Sequence, residues 1–434
     1  MTGWGTSNRS VVVAGALALA GWLLGFQDAA QAHGYPGAQA EAQGDAGSDP
    51  YNFPNIKLCC ERRRWKGPNG GPVKNPVPPG PQTVSVNCGM PTDAPRSYSS
   101  VQEGLAKIGG FGTIFVAPGT PCEISGVVFA GPVVISTDRY GYGARAKLVT
   151  AESCALVSPA APNVAVTLGG IDIDGCLAVM SGGLSLDEVN VAWRGNHSAV
   201  TVNHGSLSVK RSTIRAKDIA IYAASAGRVF IEESKLATTS TGPQVVRLSA
   251  AVVQMNDVKV KGGAIGVLLD NVSEGLDLNK VDVYRGEPGD PYPPVSPGDQ
   301  GIVVGGAQAM QDLPWLPGMD ARRVTIHSGS VTGYNVGIAI GPGSSVAVED
   351  MAVNGAAQGI SVAAGSYAQM TNNRIKGTLA NGIVLQVGAR GTADRNEVQC
   401  VHGRCVCYGG DCSSRSNYVF GNGAFRMTDT ECDD

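Results

Sequence analysis

One polar position recurs along the chain at a nearly fixed interval, and no other feature narrows the fold as far. It is filled by Asp187, Lys210, Glu232, Asn256, Asn279, His327, Glu349, Thr371 and Asp394, in steps of 23, 22, 24, 23, 48, 22, 22 and 23 residues. A constant period in this range marks a solenoid. Each unit holds three short runs in which apolar and polar residues alternate. AVTV at 199 with LSVKRSTI at 207, and GIAI at 337 with VAVEDMAV at 346, are examples. Period-two alternation rich in Val, Ile and Leu and closed by Gly, Asn, Asp or Ser means strands rather than helices. Three strands in about 22 residues make one turn of a triangular coil, and a single turn cannot bury its inward residues without neighbours. The pattern points Val200, Val202, Leu207, Val209, Ile221, Ile231, Val246, Leu248, Val267, Ile302, Ile338, Ile340, Ile360 and Ile383 inward. Asn256, Asn279, Asn372, Asn373 and Asn396 fall where a left-handed backbone is expected.

Upstream, Ser100 and Glu103 form a capping box, Val101, Leu105 and Ile108 share one helical face, and Gly109-Gly110 ends the helix. A solenoid needs a cover over its first turn, and this helix suits that place, with strands beginning at Thr113–Val116. The stretch SVQEGLAKIGGFGTIFVAPGTPCEISGVVF, with the coil after it, resembles the right-handed parallel β-helix proteins of the pectin-lyase-like superfamily over roughly residues 97 to 425. The resemblance implies an all-β, right-handed parallel β-helix solenoid with a short N-terminal capping helix. That superfamily includes pectate lyases, polygalacturonases, pectin methylesterases, alginate epimerases and non-catalytic adhesive members, so the likeness concerns fold first and polysaccharide second.

Composition fits this architecture. Sixty glycines and 16% charged residues suit a turn-rich stack, and a net charge of −3 gives no support for nucleic-acid binding. There is no phosphate loop, and neither a cofactor nor a metal is called for.

Residues 1–32 read as a signal peptide, with Arg9, the apolar run 11–26 and Ala30-Gln31-Ala32 at the cleavage point. The run is short for a bilayer span, and no other segment approaches one. Residues 33–82 are a Pro/Gly-rich lead-in carrying CCERRRWK at 59–66, read as a solvated, disulfide-pinned loop. Residues 83–112 are the cap, 113–425 the coil and 426–434 a tail. A secreted, periplasmic or cell-surface location follows from the signal. Six cysteines lie early (Cys59, Cys60, Cys88, Cys122, Cys154, Cys176) and five late (Cys400, Cys405, Cys407, Cys412, Cys432). Disulfides at the coil's ends are the expected use, since the late spacing departs from common zinc pairs. Their pairing stays open, and the odd total leaves one over.

Function is expected where the rhythm breaks. The step of 48 places two long loops, 285–300 and 305–322, on either side of one strand of the first sheet. Long loops flanking a regular face make the walls of a binding site, and the resemblance implies a groove along that sheet. The loops offer Tyr292 and Trp315 for stacking on sugar rings, with Asp290, Asp299, Asp312 and Asp320 as polar partners. On the sheet itself Thr201, Asn203, Tyr222, Arg247, Ser249 and Asp270 point outward. Arg247 and Asp270 are the candidate catalytic pair, able to orient a uronate carboxylate or to act as acid and base, and a cross-strand salt bridge on a solvated sheet is the structural alternative for the same two residues. Asn203, Tyr222, Tyr292, Trp315, Asp299 and Asp312 are the candidate substrate-binding residues. The expected partner is a polysaccharide or cell-envelope glycan, handled by a lyase, epimerase or glycoside hydrolase if there is chemistry. The alternative is a structural or adhesive surface protein without an active site. The element Arg374-Ile375-Lys376 resembles one of the polygalacturonases, but the companion elements are missing. The polar turn column reads as structure, with mixed charges relieving repulsion between turns.

Overall fold

In a computed structural model, the structure describes residues 82–89, 97–137, 144–151, 153–159, 164–238, 242–286, 296–305, 324–400, 404–413, 415 and 417–433, without the side chains of 400 and 433. The expected signal segment and most of the lead-in lie outside these residues. So do Cys59, Cys60, Tyr292, Trp315, Asp290, Asp312 and Asp320.

The chain winds as a parallel coil of three sheets. The first sheet stacks Ser198–Val202, the start of Ile219–Glu232, the start of Gln244–Lys261, Ile265–Asp270, Gln300–Gly305, Val336–Ile340, Gln358–Val362 and Asn381–Leu385, all in parallel register. The second sheet carries the recurring polar position. Asp187 pairs with Lys210, then Glu232, Asn256, Asn279, His327, Glu349, Thr371, Asp394 and finally Thr428. The period is therefore one turn of the coil. Every inward residue expected from the sequence, from Val200 to Ile383, is buried. The strands are less separate than the sequence suggests, because Ile219–Glu232 and Gln244–Lys261 run through the corners that join sheets.

The tight corner between the second and third sheets has a fixed backbone. The residue just after the polar column is left-handed in turn after turn: Glu188, Arg211, Glu233, Asp257, Lys280, Ser328, Asp350, Asn372, Arg395 and Asp429 all have φ between 45° and 60°. Of the five asparagines expected there, only Asn372 adopts that conformation. Asn256 and Asn279 sit one residue earlier and hydrogen-bond along the stack, Nδ2 of Asn279 donating to Oδ1 of Asn256 at 2.8 Å. Asn373 and Asn396 sit one residue later and turn inward, where Asn373 donates to the Val348 carbonyl and to Asn396. A left-handed non-glycine costs about 1–2 kcal/mol. The buried amides offset part of that by satisfying the backbone of the turns above and below.

A second recurrence explains the glycine that opens GVLL, GIVV, GIAI and GISV. A Cβ on Gly337 would lie 2.3 Å from Val353 Cγ1 and 2.7 Å from the Gly359 carbonyl, and Gly266, Gly301 and Gly359 meet the same obstacle. The first and third sheets approach too closely there for any side chain. Earlier turns carry Ala199, Ala220 and Val245 at this place.

The first described strand of the stack is Gln82–Val86, which pairs with Gly112–Val116. The stack expected to open at Thr113 thus opens ahead of the helix. The helix spans Val101–Lys107, with Ser100 Oγ accepting from the Glu103 N–H. The Glu103 carboxylate reaches one residue further back than a capping box requires, to the Ser99 N–H and hydroxyl. Val101 and Ile108 are buried and Leu105 packs against the same core. At the other end the antiparallel strands Tyr418–Phe420 and Phe425–Thr428 bury Phe420 and Phe425, with Tyr418 edge-on to Phe420 at 4.5 Å. Three disulfides are described: Cys88–Cys122, Cys154–Cys176 and Cys407–Cys412. The first and last bind the coil's ends. Cys432 joins none of the three, and Cys405 is buried with its sulfur 3.6 Å from the Val398 carbonyl.

Candidate functional site

On the first sheet the outward residues of successive turns form a column: Ala178, Thr201, Tyr222, Arg247, Leu268, Val303, Ala339, Ser361 and Val384. Arg247 points out because Val246 and Leu248 on either side of it are buried. Its guanidinium carbon lies 5.7 Å above the Tyr222 ring, within cation–π range. Its Nη2 lies 3.2 Å from Asp270 Oδ2. Arg247 faces Leu268 directly in register, and Asp270 lies two residues beyond, so the ion pair crosses the ladder diagonally rather than along one column. The two side chains are 39% and 33% exposed, so the pair is open to a ligand. An aromatic ring, a guanidinium and a carboxylate therefore occupy three consecutive turns of one face.

Asn203 lies just past the end of its strand, its amide against Met180 Sδ at 3.4 Å, and flanks this cluster rather than joining it. Thr201 hydrogen-bonds with Ser198 at 2.5 Å. His197 and His204 are exposed beside the same strand.

Asp299 differs from its expected place at the ligand surface. Its side chain is buried, ion-paired with Arg285, and accepts the Ser296 N–H at 2.6 Å. Its carbonyl accepts from Val336, while Asn335 Nδ2 donates to the Pro297 carbonyl. A carboxylate taken out of water needs a counter-charge and hydrogen bonds. Asp299 has both, and it acts as a clasp closing the two ends of segment 285–300. The opposite signs of Arg285 and Asp299 at those ends were the available signal in the sequence.

A second concavity was not foreseen. An open groove of about 660 Å³ runs along the outer second sheet near the coil's C-terminal end, lined by Glu349, Gln369, Thr392, Asp394, Arg395 and Arg426 among others. The Thr428 hydroxyl, and then Arg395, hold the Asp394 carboxyl below the usual carboxylate range. One turn before Glu349 along the stack, His327 Nε2 lies 2.9 Å from Oδ1 of Asp277 on the turn before that. Both features grow out of the polar column and show that it also shapes a surface.

Among the described residues no group of three or more His, Cys, Asp or Glu side chains is arranged to hold a metal ion. No described helix is long and apolar enough to cross a membrane.

No curated protein matches the sequence. Among solved structures the chain is similar to the A-module of the mannuronan C-5 epimerase AlgE4 of Azotobacter vinelandii, at 11% identity and a TM-score of 0.30, over 80% of this chain and 97% of that one. Residues 316–425 match the family described as a right handed beta helix region. That match covers the later turns, and parallel pairing continues through the described earlier ones, so the fold is a right-handed parallel β-helix.

Proposed function

We propose that this chain is an exported protein that binds an acidic polysaccharide along its first sheet, centred on Tyr222, Arg247 and Asp270. The observation that carries the reading is the position of Arg247, with its guanidinium over the Tyr222 ring and beside the Asp270 carboxylate. A sugar ring stacks on Tyr222, its carboxylate takes the planar fork of Arg247, and Asp270 accepts from the hydroxyls. The site lies next to the long turn, so segments 285–300 and 305–322 and their Tyr292, Trp315 and Asp312 are the proposed walls. Asp299 serves from beneath as the clasp. Export is supported by the apolar run 11–26 and by the three disulfides, which suit an oxidising compartment.

The adhesive alternative has one observation of its own. Beyond Arg247 the outward column becomes Leu268, Val303, Ala339, Ser361 and Val384, which carries no proton chemistry.

Titrating the full chain with oligogalacturonate and with a neutral oligosaccharide tests the proposal. Arg247→Ala is expected to weaken acidic-glycan binding by about tenfold or more, the worth of one charge-assisted contact, with an unchanged melting temperature. Equal affinity in the variant would remove Arg247 from the site. A parallel turnover assay separates binding from modification: product formed by the parent and lost in Asp270→Asn makes Asp270 catalytic.

A further inference from the structure

The outer face of the third sheet carries a run of cations. Arg215 lies on Thr213–Ala216, Lys235 on Lys235–Thr238, and Lys259 and Lys261 at the end of Gln244–Lys261, on three consecutive turns. Lys235 stands directly opposite Lys259, and both are exposed. Adjacent strands are about 4.8 Å apart, and like charges in direct register destabilise a sheet.

Elsewhere on this sheet the chain avoids that cost. Arg145 and Lys147 pair with Asp172 and Asp174 at 3.6 and 3.2 Å, and Arg374 and Lys376 both pair with Glu397 at 2.8 and 2.6 Å. Arg215, Lys235 and Lys259 have no ion-pair partner among the described residues. The nearest carboxylate in the ladder is Asp282, opposite Lys259, and it accepts the Ser330 hydroxyl at 2.6 Å. Beside it Tyr284, in register with Lys261, presents a half-buried ring on the same face.

We infer that this face is a second binding surface, for an acidic polysaccharide lying across the strands parallel to the coil axis. Lys235 and Lys259 repeat at the strand spacing, close to the advance of one sugar residue along an extended glycan, and Arg215 lies one turn earlier and two residues along, in register with Ala237 and Lys261. A chain bearing an acid on successive residues meets one cation per turn and relieves the Lys235–Lys259 repulsion, while a sugar ring packs on Tyr284. Duplex nucleic acid suits the face less well, because the cations lie in two adjacent columns of a flat sheet with no element projecting into a groove. The surface lies on a different sheet from the proposed Tyr222–Arg247 site and does not depend on it.

The test uses the full chain on immobilised heparin, polygalacturonate, neutral dextran and duplex DNA, in Arg247→Ala and parent backgrounds. Retention by the Arg247→Ala chain on a sulfated or a uronate gel, absent on dextran, is expected, and the gel that retains it identifies the acid. Adding Arg215→Gln, Lys235→Gln and Lys259→Gln is expected to weaken that retention by about tenfold, and added salt to weaken it in the parent. Retention unchanged by the three Gln substitutions overturns the inference and leaves the first-sheet site standing. Retention abolished by them but untouched by Arg247→Ala overturns the first-sheet site instead. Tighter binding to DNA than to either acidic gel, or a melting temperature lowered by the Gln substitutions, also overturns the inference.

Discussion

At the residue scale the fold depends on what a position forbids as much as on what it buries. Gly337 has an ordinary backbone conformation, yet its missing side chain lets the first sheet meet Val353 of the third. Gly337→Ala is expected to cost about 1–3 kcal/mol by overpacking, read as a lower melting temperature, with Val353→Ala in the same chain restoring part of the loss. Glu397 shows the opposite device, a half-buried charge made useful by its neighbours. The Lys376 hydrogen bond, and then Arg374, hold its carboxyl below the usual carboxylate range. A carboxyl lowered in the folded state contributes stability above its unfolded value, near pH 4.3, and loses it as pH falls through the folded value. The fall in melting temperature between pH 6 and pH 3 is therefore expected to be smaller in Glu397→Gln than in the parent. An identical fall would show that the Arg374–Lys376–Glu397 cluster carries no acid-sensitive stability.

At the element scale the strands and corners were legible because each obeys a local rule. Alternation set the inward face of every strand, and a polar residue at a constant interval marked the corner. What alternation does not show is which residue of a corner turns left-handed. Asparagines at 256, 279, 373 and 396 all suit that conformation, and the coil assigns it to a neighbour, the residue after Asn256 and Asn279 and the residue before Asn373 and Asn396. Diagonal contacts were hidden for a related reason. Arg247 and Asp270 reach each other because Arg247 is long enough to cross two positions of the ladder. Asp299 was misplaced because burial of a loop-end carboxylate depends on the fold of the next turn, where Asn335 and Val336 complete the clasp. Removing one member of a buried pair leaves an uncompensated charge and costs about 3–5 kcal/mol. Asp299→Ala is expected to lower the melting temperature and speed amide exchange in Gln300–Gly305. Replacing Arg285 with Met as well is expected to recover much of the loss. Slow exchange in the single variant would mean that the clasp holds nothing.

At the scale of the whole molecule the coil is a support with three outer faces, and each has its own chemistry. The first sheet presents Tyr222, Arg247 and Asp270 before turning apolar. The second carries the polar column and the open groove near Arg426. The third bears the lysine and arginine run. A stack of equivalent turns makes this division possible, since an outward residue is free to change while the inward aliphatics hold the turn in place. The period that reveals the coil is nearly silent about ligands, because the same alternation accepts any outward side chain. The central claim is that Arg247 takes the acid of a sugar on the first sheet. A crystal structure of the full chain with an acidic oligosaccharide tests it most directly. The account predicts a sugar carboxylate on the Arg247 guanidinium with a ring over Tyr222, and a glycan seated in the second-sheet groove with Arg247 still paired only to Asp270 would contradict it.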